Sequence, residues 1–303
     1  MAAGALTVGG WEIAAAAAKW SMHVATMTAT GGAMFVAMFA GGIAAVERRV
    51  IARRIRVLCA IALLVSIARI GVLAGGLDGD LAAMLDPGLL TLVLANGEGL
   101  ALMLRSAGIA AAFAALTRRG RSARFLAVGA VALVAISYTQ VGHVLDATPR
   151  MGAQILLAAH VFGLCYWLGA LQPLLLCCRS SEASAAASLL HDFGQLALYL
   201  VLALVSAGVC LLLVLLPEMT ASLETAYVRV LLAKLVMACA LLGLGAVNKL
   251  LLVPRLARGD ATARLALKRS IGAEMVLAAL ILLAATLMTT IASPAMAADS
   301  TAS

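Results

Sequence analysis

Two histidines in apolar sequence are the residues best suited to chemistry in this chain. His143 follows Gly142 near the end of one apolar run, and His160 lies within the next. An imidazole buried in a membrane is costly unless it binds a ligand or pairs, so such residues indicate a functional site. Imidazole nitrogen suits copper, zinc and iron alike. The sequence therefore predicts that His143 and His160 belong to a metal site.

A third histidine opens a stripe of side chains on the first apolar run. His23, Met27, Thr30, Met34 and Met38 are separated by four, three, four and four residues, which places them on one side of a helix. Thioether sulfur is a soft ligand that suits Cu(I), so the stripe is a candidate path for a metal received at His23. Methionine also fills gaps in cores, and for Met34 and Met38 alone packing is the favoured interpretation.

Several of these residues fall near one estimated depth. Counting back from the charged residues on the predicted cytoplasmic side, at about 1.5 Å per residue, places five residues about 28–30 Å above those charges. That depth is just inside the outer boundary of a hydrocarbon core about 30 Å thick. The five are His143, His160, Glu98, Met288 and Met27. The predicted metal ligands are His143, His160, His23 and Met27, with Glu98, Met288, Met34 and Met38 as further candidates.

The elements that must position these residues are membrane-spanning helices. Hydrophobic residues make up 64% of the chain and charged residues 12%, against about 25% charged in soluble domains. Apolar runs of about 20 residues suffice to span a bilayer. We predict an all-α polytopic membrane protein, a bundle of eight transmembrane helices in a single domain over 1–303. The predicted spans are Trp20–Ala45, Val57–Leu77, Gly97–Leu116, Phe125–Val144, Gly152–Cys178, Leu189–Leu216, Tyr227–Val253 and Ser270–Ala292.

The basic residues predict the orientation of the bundle. Lys and Arg concentrate in the first, third and seventh connections, whereas the second, fourth and sixth carry mainly Asp and Glu. By the positive-inside rule the odd-numbered connections are cytoplasmic, so both termini are predicted to be periplasmic. The net charge of +8 is accounted for by these connections, which indicates contact with the lipid bilayer and no nucleic-acid partner.

Other features bound the function. Residues 1–19 lack the pattern of a cleavable secretory signal, and Trp11–Trp20 either lies along the outer interface or lengthens the first helix. No phosphate-binding Gly-Lys-Ser/Thr loop, His-Glu-x-x-His pair or Gly-x-Ser-x-Gly elbow is present in the sequence, so we do not expect an enzyme.

Charged residues that interrupt the apolar runs need partners within the membrane. Structural ion pairing is the favoured role for this intramembrane charge network, which consists of Arg69, Arg105, Lys234 and Glu274. Glu98 and Arg105 share a helix face two turns apart, so a direct pair requires stretched side chains. Glu98, at the depth of the histidines, is the candidate metal ligand or proton acceptor.

The sequence also resembles the copper-resistance D family of bacterial inner-membrane proteins, which have an eight-helix core. The similarity covers about 97–294. It rests on Gly142-His143, His160 through Trp167-Leu168-Gly169-Ala170-Leu171 to Pro173, Tyr227 through Lys234, Ala246-Val-Asn248-Lys249, Pro254, Arg269 through Glu274 and, more weakly, Arg105.

The resemblance implies copper handling at the inner membrane: transport toward the cytoplasm, or resistance together with periplasmic partners. His143 and His160 match the histidine positions of the family and carry the implied copper role. No periplasmic copper-binding domain is fused to the similar region, so a separate donor protein is the expected partner. We expect Cu(I) to be bound by His143 and His160 with His23 or a methionine, in a site weak enough to release it.

Two other functions fit the residues. Haem iron takes two axial histidines from facing helices, so a b-type haem electron-transfer protein is an alternative. A proton-coupled transporter of a small solute, using Glu98, Arg105 and Lys234, is another.

Overall fold

The computed structural model describes residues 9–180, 182–219 and 226–290, without the side chains of residues 143, 180, 215–219, 226, 227 and 261. Every regular element within these ranges is a helix. The α-helices are α1 (Gly10–Met38), α2 (Ala45–Asp78), α3 (Pro87–Leu94), α4 (Gly97–Ala115), α5 (Gly120–Tyr138), α6 (Arg150–Ser180), α7 (Ala183–Met219), α8 (Ala226–Val247), α9 (Val253–Ala257) and α10 (Ala261–Thr290).

Seven helical segments in the described part of the chain are long and apolar enough to cross a membrane. They comprise α2, α4, α5, α6, α7, the α8–α9 segment and α10. Large apolar side chains on these helices point outward: Leu64 is 68% exposed, Phe125 81% and Val236 69%. Such extensive apolar exposure is rare on soluble proteins and is what lipid-facing helices require. The prediction of a polytopic all-helical membrane protein is therefore confirmed, while the count of eight spans stays a prediction.

The helix absent from that set, α1, occupies the centre of the bundle. It contacts α2, α4, α5, α6 and α10, and nearly all its side chains from Met22 to Ala37 are buried. Because protein surrounds α1, it tolerates threonine, glycine and histidine where a lipid-facing helix would carry leucine. The segment Trp11–Trp20 is part of this continuous helix, which begins at Gly10.

Close backbone approach holds α1 against α6. A Cβ atom built on Gly31 would lie 1.7 Å from the Cys165 carbonyl oxygen, and one on Gly169 would lie 2.2 Å from the Gly31 carbonyl carbon. Only residues without a Cβ permit this spacing. Gly169, the last residue of the Trp-Leu-Gly sequence, thus allows α1 and α6 to pack closely.

Turn residues explain several helix ends. Gly79, with φ of +77°, ends α2 in the left-handed conformation that glycine adopts at little cost. Asp86 caps α3, where its side chain accepts a 2.9 Å hydrogen bond from the Leu89 amide and Pro87 is the first helical residue. The predicted span Phe125–Val144 is too long: α5 ends at Tyr138, and His143 lies in a short 3₁₀ turn, His143–Leu145, after Gly142 with φ of +85°.

The seventh predicted span is not one uniform α-helix. A π-helical turn, Asn248–Leu252, separates α8 from α9. Pro254 lies at the start of α9 and has no amide hydrogen to donate to the preceding turn, which accounts for the irregularity. The Lys249 ammonium donates to the Gly194 carbonyl and fixes the π turn against α7.

Candidate functional site

His160 is the histidine whose local geometry best suits a metal ligand. The half-buried imidazole has its Nδ1 atom 3.0 Å from the Leu204 carbonyl oxygen of α7. Since a carbonyl only accepts, Nδ1 must donate the hydrogen, which leaves the lone pair on Nε2. Backbone carbonyls that accept a hydrogen bond from one ring nitrogen orient metal-binding histidines in this way. His160 can therefore offer Nε2 to a cation without losing the bond that holds its ring.

A glycine on α7 makes room for this imidazole. A Cβ atom on Gly208 would lie 3.0 Å from both Cε1 and Nδ1 of His160. Gly163 has a similar role one turn along α6, where a Cβ would lie 2.9 Å from the Leu204 Cβ. The position of the His160 ring thus depends on small residues on both helices.

His23 lies in a different environment. It is 9% exposed and packs against the Tyr138 ring of α5, with 5.1 Å between ring centroids. Its Nδ1 atom lies 3.4 Å from the Thr286 hydroxyl of α10. His23 therefore contacts α5 and α10, whereas His160 bonds to α7.

The structure tests the predicted meeting of the metal ligands only in part. The side chain of His143 lies outside the described residues, so its meeting with His160 stays a prediction. Among the described residues, no group of three His, Cys, Asp or Glu side chains could hold a metal ion. Met27, Met34 and Met288 are buried, 3%, 1% and 5% exposed, and no ligand partner of theirs is seen in the described part.

The methionines of α1 below His23 belong to the main apolar core. Met27 and Met34 pack with Phe35, Ile51 and other buried side chains, and Met38 lines the edge of the same cluster. This packing is the role favoured above for Met34 and Met38. It leaves the predicted metal path along α1 as a prediction.

Charged side chains of α1, α2 and α4 lie near His23. Arg69 binds Glu98 through two hydrogen bonds of 2.5 and 2.7 Å, so Glu98 pairs with Arg69 of α2 and not with Arg105 of its own helix. Lys19, Arg69 and Arg105 all lie within electrostatic range of His23. These positive charges oppose the approach of a bare cation to His23.

A second polar cluster, found in the structure and not foreseen as a unit, lies between α6, the π turn and α10. The Glu274 carboxylate, 3% exposed, accepts a 3.0 Å hydrogen bond from Trp167 Nε1 and another from Asn248 Nδ2. The signal for it in the sequence was a polar amide, Asn248, inside an apolar run. Glu274 is therefore held by neutral donors instead of the expected ion pair.

One further predicted residue, Lys234, lies apart from both clusters. Lys234 of α8 is partly buried, and no hydrogen bond or ion pair of its ammonium is seen in the part of the chain that the structure describes. Its positive charge lies within electrostatic range of His160. The intramembrane charges thus comprise a group near His23, which contains the Arg69–Glu98 pair and Arg105, together with Lys234 and the hydrogen-bonded Glu274.

The helical bundle, its lipid-facing apolar surface and its buried polar clusters define a multi-pass membrane protein. Residues 187–288, about a third of the chain, match the family model described as Copper resistance protein D. This match confirms the resemblance: the chain carries a copper-resistance D type region over α7, α8, α9 and most of α10. No curated protein and no solved structure matches the chain.

The matched region includes some of the residues described above and leaves others out. Leu204 and Gly208, which hold and accommodate His160, lie inside it, as do Asn248 and Glu274. His160 itself, His143 and all of α1 lie outside. The match therefore supports a relation to copper resistance without assigning a role to any histidine.

Proposed function

We propose that this protein binds copper, as Cu(I), near the periplasmic face of a bacterial inner membrane and transports it toward the cytoplasm in copper homeostasis or resistance. The family match over residues 187–288 is the observation that carries this proposal. The copper ion is the cargo, and a separate periplasmic copper-binding protein is its proposed donor. The role is transport and not catalysis.

His160 is the proposed primary ligand, together with His143. Its Nδ1 hydrogen is engaged by Leu204, so Nε2 is oriented and free to bind a soft or borderline cation. Two imidazoles form a site of low coordination number, which a transported ion can leave. The positively charged side chains near His23 make that residue the weaker candidate for a third ligand.

Copper binding by the purified full-length protein tests this proposal. Under reducing conditions, competition with a chromophoric Cu(I) chelator and elemental analysis measure the affinity and the amount of bound copper. We expect His160→Ala to weaken Cu(I) binding at least about tenfold, the effect of losing about 1.4 kcal/mol of binding free energy. Gly208→Val should weaken binding too, because its side chain would displace the imidazole.

The matched control is His191→Ala. His191 is exposed on α7 and contacts only Gln195 among the hydrogen bonds described, so its loss should leave copper binding unchanged. Equal copper binding by wild type and His160→Ala would refute the role of His160. A reduced-minus-oxidised spectrum with a Soret band would instead favour the haem alternative.

A further inference from the structure

Positive charge exceeds negative charge among the ionisable side chains near His23. Around His23 lie Lys19, Arg69 and Arg105, with Glu98 as the carboxylate in range. Both Glu98 oxygens are bound to Arg69, so that pair is internally neutral. Lys19 reaches outward to the Thr289 hydroxyl at 2.8 Å. Arg105 is left without a counter-ion.

Arg105 is a buried charged group without a hydrogen-bond partner in the described structure. The side chain is 1% exposed, its Nε atom is buried without a partner, and no hydrogen bond from its guanidinium is seen in the described part of the chain. Its Cζ atom lies 5.5 Å from the centroid of the Tyr138 ring. A cation–π contact at this distance does not replace the hydrogen bonds that a buried guanidinium needs.

Tyr138, whose ring Arg105 faces, adds an unpaired hydrogen-bond donor. The Tyr138 hydroxyl is buried without a partner. A guanidinium only donates, and the Tyr138 hydroxyl can donate. Donors together with uncompensated positive charge in a low-dielectric site favour an anion.

We propose that Arg105 and Tyr138 form the binding site of a small monovalent anion, with chloride as the expected occupant. Arg105 is 1% exposed, so its guanidinium is closed to a lipid headgroup at the surface of the protein. A bound anion would pair with Arg105 and reduce the positive field at His23. This proposal is independent of copper binding and is tested without copper.

Equilibrium dialysis of the full-length detergent-solubilised protein against radioactive chloride, with a copper chelator and gluconate as the inert anion, tests the site. Wild type should bind chloride saturably, and chloride should raise its unfolding temperature at constant ionic strength. Arg105→Gln should weaken binding at least about tenfold, since a charge-assisted hydrogen bond is lost. Tyr138→Phe should produce a smaller loss.

Arg118→Gln is the matched control, because Arg118 is an exposed arginine beyond the end of α4 and should leave chloride binding unchanged. Competition with formate tests which anions the site accepts. Displacement of chloride by formate would support an anion site that also binds small carboxylates. The proposal would be overturned if the wild type bound neither chloride nor formate saturably. It would also be overturned if Arg105→Gln bound chloride as tightly as the wild type. If Arg105→Gln does not fold, unchanged binding by Tyr138→Phe would overturn it.

Discussion

At the scale of single residues, the structure shows which buried polar atoms are engaged. The sequence identified His23, His160, Glu98, Arg105 and Glu274 as polar residues in apolar runs, and each lies on a described helix of the bundle. Their partners were not predictable, because those partners come from distant parts of the chain. Glu98 is bound by Arg69 and Glu274 by Trp167. Spacing along one helix gives no information about such tertiary contacts.

The contacts of Glu274 lead to a stability prediction. Glu274→Leu removes the acceptor for Trp167 Nε1 and Asn248 Nδ2, and each buried donor left unpaired costs about 1–3 kcal/mol. Glu274→Gln keeps one carbonyl acceptor and should destabilise less. Thermal unfolding in detergent, followed by tryptophan fluorescence, measures both variants.

Glu182→Leu provides the comparison, since Glu182 is exposed at the start of α7 and should have little effect on unfolding. An unfolding temperature for Glu274→Leu equal to that of wild type would show that these hydrogen bonds do not stabilise the fold.

At the scale of helices, the positions of most elements followed from apolar run length, whereas their ends followed from local chemistry. The predicted span Gly97–Leu116 agrees closely with α4, Gly97–Ala115. The predicted continuation of the fourth span to Val144 was wrong, because α5 ends at Tyr138, before the polar residues Thr139 and Gln140 and the positive φ of Gly142. The π turn before Pro254 was likewise invisible to hydropathy.

The close crossing of α1 and α6 predicts that a side chain added at Gly31 destabilises the bundle. Gly31→Ala would place a methyl group against the Cys165 carbonyl oxygen, at an unrelaxed distance of 1.7 Å. The helices must separate, at a cost of about 1–3 kcal/mol or more. We expect a lower unfolding temperature and less monodisperse protein by size-exclusion chromatography in detergent.

Gly129→Ala is the control within a helix, because nothing lies within 4 Å of a Cβ at Gly129. This change should be neutral or should stabilise by up to about 1 kcal/mol through helix propensity. If both alanine variants behave alike, close packing at Gly31 is not required.

At the scale of the whole molecule, the orientation in the membrane is still a prediction of the charge pattern. Basic residues cluster in the connections after α4 and α9 and at the adjoining ends of α2, α5 and α10. A cytoplasmic location of these connections requires a periplasmic C-terminus. A C-terminal fusion to alkaline phosphatase should therefore be active, and a C-terminal fusion to green fluorescent protein should be dark.

Fusions placed after Arg119, in the connection between α4 and α5, should give the reverse pattern. Fluorescence from the C-terminal fusion would contradict the predicted topology. It would place the half of the bundle that contains His23 on the cytoplasmic side. The composition fixed the membrane class of the molecule, but orientation depends on a few charges and needs this direct measurement.

The enclosed position of α1 has a consequence for biosynthesis. All five helices that surround it are translated later, and α10 is the last. Until then, the polar side chains of α1 lack the neighbours that cover them in the finished bundle, and its sequence is less apolar than the seven segments suited to insertion. Completion of the enclosure around α1 therefore depends on the arrival of its successors from the ribosome.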